Sequence, residues 1–323
     1  MGNAWKGLQN NLNKTDIPHY ALNKSLPVDS YFTSKDTASK CIDILKNICD
    51  VKNIDLSKYT FIEPGAGDGG FFDLLPVQNR IGIDIVDRRD DVITADYLTW
   101  KPQDLSLNYC TIGNPPFGVR GAVALAFLNR SLLFSEIVAF ILPMSFHSNG
   151  KGSAMSRVKN AHCIHSQILE SEKFYSPDNN KEIKINTLFQ IWRRGDGDSI
   201  FKNYDISEYA DIKTVNSDPN RYCGMSFIND YDFFIHSSFF GDGSDIKIVS
   251  SFDEVKYKAG YGIILKKDKK SILKKIKKTN WSEYSSTATN SSRHIRKHHI
   301  EKLFYDLGYG VEATQNTILK FTE

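Results

Sequence analysis

Two stretches of this chain carry residues that could hold and react a small ligand. In "FIEPGAGDGG" Glu63 precedes Gly65, Gly67 and Gly69, and in "RIGIDIV" Asp84 stands seventeen residues after Gly67. Glycines at such a turn permit tight backbone geometry and let a ligand approach the main chain, close to amides at a helix N-terminus. An acidic side chain about 20 residues beyond such a loop is placed to meet ribose hydroxyls. Together they describe an adenosine site. Dinucleotide loops read G-x-G-x-x-G, whereas here a carboxylate leads the glycines; it would repel a pyrophosphate and suits the cationic end of an amino acid. The second stretch, "CTIGNPPFGV", ends a strand with Asn114, Pro115, Pro116 and Phe117. An amide on a backbone stiffened by two prolines is a well-aimed polar group, and Phe117 has no evident core to fill.

Those residues need a scaffold. "SKDTASKCIDILKNICDV" offers Ser34 as a cap and Ala38, Ile42, Leu45 and Ile48 at near-helical spacing. Beyond it "YTFIEPG" reads as a strand, "GGFFDLL" opens a helix, and "RIGIDIV", "DVITADY" and "NYCTIGN" read as strands. Next come a helix, "VALAFLNRSLLF", a strand, "EIVAFILP", a helical or irregular stretch, and a last strand, "INTLFQIWRR". Such alternation predicts an α/β fold with a mostly parallel sheet covered on both faces. Residues 1–30 read as an arm and 31–195 as the domain bearing both stretches. "RRGDGDS" marks a boundary, and 199–323 forms a separate C-terminal region.

The net charge of +3 is unevenly spread: "KKDKKSILKKIKK", Lys266 to Lys278, is +7 and the remainder −4. With "RHIRKHH" close behind, Lys266, Lys267, Lys274, Lys275, Lys277, Lys278, Arg293 and Arg296 form a candidate phosphate-tracking surface. His294 and His298 have the spacing of a metal pair, but no cysteine or carboxylate clusters with them, so a basic face is favoured and no metal is expected. The five cysteines, Cys41, Cys49, Cys110, Cys163 and Cys223, form no C-x-x-C pair or disulfide ladder. Reduced thiols and a cytoplasmic location follow as expectations. No apolar run reaches the roughly 20 residues of a membrane span.

From Tyr31 to Arg194 the sequence resembles the S-adenosylmethionine-dependent amino-group methyltransferases, above all the adenine-N6 DNA methyltransferases in their gamma motif order. The resemblance runs through "YFTSKDTASKCIDIL", "FIEPGAGDG", "IGIDI", "TADYL", "IGNPPF", "AFILPMSF" and "INTLFQIWRR". It implies a Rossmann-like methyltransferase sheet with a smaller C-terminal region, and S-adenosylmethionine as cofactor. By resemblance Thr33 contacts the methionine end, with Glu63, Gly65 and Gly67 nearby. Asp84 takes the ribose, Asp96 lies near the adenine end, and Tyr97 or Leu98 sits beside its ring. Asn114 and the Pro115 carbonyl accept from the target amine, Pro116 stiffens the loop, and Phe117 stacks on a base drawn out of the duplex. Phe174 stands where the family has a second aromatic, with Tyr175 the alternative.

The expected activity is site-specific adenine-N6 methylation of double-stranded DNA, in a restriction-modification or solitary bacterial setting. Neither the target sequence nor a partner endonuclease can be read. RNA adenine methylation is the nearest rival. A protein glutamine methyltransferase would usually carry Tyr in place of Phe117. A non-catalytic nucleic-acid-binding subunit of this fold would not need the intact Asn114, Asp84 and glycine loop.

Overall fold

The computed structural model describes residues 31–147, 153–176, 181–216, 231–240, 259–287 and 292–313. The expected arm, residues 1–30, and Cys223 lie outside them. Described residues before 201 form one compact unit and those from 201 on a second.

The first unit opens with a short edge strand, β1 (Phe32–Thr33), and helix α1 (Lys35–Val51). Ser34 caps α1 by accepting from the Thr37 N–H at 3.2 Å, which satisfies one of the N–H groups that a helix start leaves without a partner. Ala38, Cys41, Ile42, Leu45 and Cys49 form its buried stripe. The helix stops at Lys52, and Asn53 turns the chain out with φ +55°.

Seven further strands follow: β2 (Tyr59–Pro64), β3 (Arg80–Asp84), β4 (Ile93–Thr94), β5 (Asn108–Gly113), β6 (Ile137–Pro143), β7 (Ala161–Tyr175) and β8 (Glu182–Arg194). They make one eight-stranded sheet in the order β1-β7-β8-β6-β5-β2-β3-β4. The run β6-β5-β2-β3-β4 is parallel, and β8 lies antiparallel between β6 and β7. This is the expected Rossmann-like α/β class. Strand order reverses between β2 and β5, and in such sheets the crevice beyond the carboxyl ends of those strands is the binding position.

Both faces of the sheet are covered. On one, α1 packs over Phe61, Ile112, Ile137, Ala139, Ile141, Phe189 and Ile191. On the other, the Thr111 and Ser135 hydroxyls meet at 2.6 Å just past helix α2 (Ala122–Ser131). Burial on both sides explains why β6 reads "IVAFILP" with no polar alternation.

Three elements depart from the sequence reading. The third strand shrinks to two residues, β4. No α-helix follows the glycine loop: Phe72–Leu74 form a single 3-10 turn, because Pro76 halts the chain before a helix can propagate. The loop therefore offers turn amides, not a helix N-terminus. The stretch expected to be helical or irregular contains β7, fifteen residues long and paired to β8 through two register shifts.

The second unit has its own core, with Phe233, Ile235, Ile263, Ile272, Ile276, Ile300 and Phe304 fully or almost fully buried. Strands β10 (Ala210–Asn216), β11 (Phe233–His236) and β13 (Ala259–Leu265) form an antiparallel sheet with β13 central. Strands β12 (Ser238–Phe240), β15 (Ser292–His294) and β14 (Ser286–Thr287) form a second antiparallel sheet with β15 central, and β9 (Tyr204–Asp205) pairs with β16 (Val311–Glu312). The described helices of this unit are α3 (Lys269–Ile276) and α4 (Lys297–Asp306). Among the described residues no helix is long and apolar enough to cross a membrane.

Candidate active site

The glycine loop leaves β2 with φ of +69° at Gly65 and +55° at Gly67, values that cost a side-chain-bearing residue energy. Around Gly65 the space is open: a Cβ built there meets nothing within 4 Å. At Gly67 the same construction lands 2.8 Å from the Phe32 ring, so β1 lays an aromatic over the loop. The Gly65 and Ala66 N–H groups donate to the Ile83 carbonyl at 2.7 and 3.0 Å, pinning the loop to β3.

Asp84 completes that attachment. One of its carboxylate oxygens accepts from the buried Gly67 N–H at 2.8 Å and the other from Val86 N–H at 2.9 Å. Each oxygen keeps a second lone-pair site, so the side chain can hold the loop and still accept from ribose hydroxyls. Sequence reasoning found the carboxylate but not this structural role.

Glu63, next to last in β2, is almost fully buried, and its Oε2 has no hydrogen-bond partner among the described residues. Burial pushes its carboxyl well above the usual range, against the opposing pull of the Phe72 and Phe71 amides. It lies beside the end of β5, since a Cβ added at Gly113 would sit 3.3 Å from Glu63 Cγ.

Asn114 follows immediately. Its Nδ2 donates to the Tyr31 carbonyl at 3.2 Å, while its Oδ1 is buried and has no partner among the described residues. The donor end of the amide is spent on the chain and the acceptor end is kept. Leaving such an acceptor dry costs about 1 to 3 kcal/mol, so the arrangement suits an incoming donor. Pro115 is buried and Pro116 half-buried. Phe117 is also half-buried and packs against the core beneath α1, so it fills core space that the sequence did not reveal. Its carbonyl receives the Val123 and Ala124 N–H groups at the start of α2.

Other expected residues fall differently. Thr33, buried, lines a cleft of about 280 Å³ with Ser34, Lys35, Asp36, Asp68, Gly70 and Tyr175. Burial raises the Asp68 carboxyl there. Phe174 is closed inside the core, leaving no ring face for a base; the neighbouring Tyr175 faces the cleft. Tyr97 is also a core residue, its hydroxyl 2.7 Å from that of Ser131 and its ring stacked on Phe127. Asp96 is exposed and forms a local turn, its carboxylate accepting from Leu98 N–H at 2.9 Å; Leu98 is half-buried. Residues the sequence did not single out are Tyr31, acting through its carbonyl, Phe32, Lys35 and Asp68. Only the glycine spacing gave a hint, by leaving room for Phe32.

In the second unit, Lys266 pairs with Asp211, Lys267 with Glu208 and Lys269 with Asp232. Lys275 donates to the Leu307 carbonyl at 3.0 Å, whereas Lys274, Lys277 and Lys278 are exposed. Arg293 is half-buried and donates to the Ser282 carbonyl at 3.2 Å; Arg296 is exposed at the start of α4. The His294 ring meets the Ser238 hydroxyl at 2.8 Å. Among the described residues no group of three or more metal-binding side chains gathers.

No protein-family model matches the chain, and no curated protein matches it. Similar solved structures include a candidate RNA methyltransferase from Pyrococcus horikoshii, 17% identical, covering 61% of this chain and 100% of that one with a TM-score of 0.40. The 23S rRNA methyltransferase ErmE is 14% identical over 53% of this chain and 72% of its own, with a TM-score of 0.34. Magnesium protoporphyrin IX methyltransferase from Synechocystis, with bound S-adenosylmethionine, is 9% identical over 59% and 92%, with a TM-score of 0.32. The functional reading rests instead on the strand ends and the side chains they hold.

Proposed function

We propose that this protein is an S-adenosylmethionine-dependent methyltransferase that modifies the exocyclic amine of adenine in duplex DNA. The observation that carries the reading is the buried Oδ1 of Asn114 just past β5, without a partner among the described residues, its amide held by the Tyr31 carbonyl. The residues present fit the cofactor: Gly65 leaves open space, Asp84 retains acceptor capacity, and the Thr33 cleft carries both ammonium and carboxylate groups for a zwitterionic end. When bound, S-adenosylmethionine supplies a methyl group already activated on a sulfonium.

The chain has then to prepare the nucleophile. An exocyclic adenine nitrogen is weakly nucleophilic because its lone pair is delocalised into the ring. Asn114 Oδ1 accepts one amine hydrogen and the Pro115 carbonyl the other, favouring a pyramidal nitrogen with a directed lone pair. The two prolines keep both acceptors aimed. The exposed part of the Phe117 ring covers the extruded base, with Tyr175 as the second aromatic in place of Phe174. Buried free thiols at Cys41, Cys49, Cys110 and Cys163 fit a reducing cytoplasmic setting, and site-specific modification would suit a restriction-modification or solitary role.

The test is transfer of labelled methyl from S-adenosylmethionine to duplex DNA, with RNA in parallel. Asn114→Ala is expected to retain cofactor binding and lose about 10²-fold or more in single-turnover methyl transfer. Full activity in that variant would remove the proposed role of the tetrad, and transfer to RNA alone would redirect the substrate.

A further inference from the structure

The eight lysines from Lys266 to Lys278 divide into two sets. Lys266, Lys267 and Lys269 are paired with carboxylates, and Lys275 is held by the Leu307 carbonyl with its ammonium 4.5 Å from the Tyr309 ring centre. Lys270, Lys274, Lys277 and Lys278 are exposed and have no ion-pair partner among the described residues. Their spacing of four, three and one residues puts them on one face of α3 and its continuing last turn, where Lys277 N–H bonds the Leu273 carbonyl at 3.1 Å. Ile272 and Ile276, fully buried, and Leu273, packed on the same core, anchor the other face. A +7 segment is thereby sorted into three lysines paired with carboxylates, one held by a carbonyl and a ring, and four with neither kind of contact among the described residues.

We propose that these four lysines form a stripe that tracks the phosphate backbone of duplex DNA. From Lys270 to Lys278 the stripe spans about 12 Å at 1.5 Å per helical residue. Over that length a duplex presents about seven phosphate charges on its two strands together and about three or four on one strand, at roughly 3.4 Å each, a number that matches four ammonium groups on long stems. An interfacial membrane helix would need an apolar face free to insert, and here the apolar face is occupied by the unit's own core. Lysines in a last turn also suit the helix dipole, but that role would affect stability and not the salt dependence of DNA binding. The inference rests on the proposed nucleic-acid substrate, yet its readout is binding and not methyl transfer, so the two can fail separately.

The experiment measures affinity of the full-length protein for a random-sequence duplex across a salt series. Changing Lys270, Lys274, Lys277 and Lys278 together to Gln is expected to flatten the slope of log affinity against log salt by up to about 3.6, at about 0.9 per phosphate contact. A comparison variant with Lys266, Lys267 and Lys269 changed to Gln is expected to keep most of the parent slope, and thermal melting checks that both fold. An unchanged slope in the stripe variant overturns the proposal, as does an equal change in the two variants. Binding to phosphatidylserine vesicles that the stripe mutations abolish, with duplex binding intact, overturns it in favour of a membrane surface.

Discussion

At the residue scale the site is organised around buried polar atoms that have no partner among the described residues. Asn114 has one end satisfied by Tyr31 and the other without a partner among the described residues, and this asymmetry predicts the behaviour of Asn114→Asp. A carboxylate there would be desolvated and would face a carbonyl oxygen, so its pKa should be raised. Its protonated form can donate to Tyr31 and leave an acceptor for the amine. A group whose folded pKa is raised contributes its stability below the unfolded pKa and loses it as pH rises through the folded one. Activity and thermal stability of Asn114→Asp relative to the parent should therefore both fall with rising pH, across a window above about pH 3.9. A deficit independent of pH would mean that the Tyr31 contact does not orient the amide.

Glu63 follows the same sign. Its carboxyl is raised chiefly by burial, so the parent should lose stability as pH climbs from the ordinary carboxylate range through the folded pKa. Glu63→Gln should flatten that decline and melt at or above the parent temperature at pH 8. A variant that melts lower at pH 8 but matches the parent near pH 4 would show that the charged form is the stabilising one.

At the scale of elements, β7 decides which aromatic is available. It pairs Phe174 with Thr33 of β1 and Tyr175 with Phe32, sending alternate side chains to opposite faces. Phe174→Ala should act as a core truncation, costing about 3 to 5 kcal/mol in urea unfolding. Tyr175→Ala should cost little stability and raise the KM for DNA or for cofactor; the reverse pattern would return Phe174 to the site.

The same strand shows where the sequence was legible and where it was not. Strands β2, β3, β5 and β6 are largely apolar runs because neighbours cover both faces, and the loops at their carboxyl ends carried the glycines, Asp84 and Asn114 in plain view. β7, "AHCIHSQILESEKFY", hides because register shifts between Cys163 and His165 and between Leu169 and Glu172 break its alternation. Its Glu172 is stabilised by Thr37 and Lys40 of α1, partners that no local pattern announces. Tyr97 was misread for a related reason: a phenol whose hydroxyl meets Ser131 in the core looks, in sequence, like a ring waiting for a ligand.

At the scale of the whole molecule, a tetrad with the proposed role would meet only a base and its amine, so the choice between DNA and RNA would come from residues that meet the backbone and the grooves. The uneven charge of the chain, +7 in one segment against −4 elsewhere, underlies the proposal that the second unit holds duplex through phosphates without reading its sequence. Three of those lysines are paired with Asp211, Glu208 and Asp232, and Lys275 is tied down by the Leu307 carbonyl, which leaves four exposed lysines as a narrow stripe. Under the proposed function, selection of a target depends on contacts to base edges, which resist salt better than phosphate contacts do. Raising salt should consequently weaken random duplex more steeply than the cognate site while leaving single-turnover methyl transfer on saturating cognate DNA nearly unchanged. The measurement is labelled-methyl incorporation into a mixed pool of DNA duplexes and RNAs at two salt concentrations, with mapping of the modified base. N6-methyladenine at one recurring DNA sequence, enriched at the higher salt, is the expected result. Methyl groups confined to RNA, or scattered over DNA without a recurring sequence, would show that the second unit selects a different substrate.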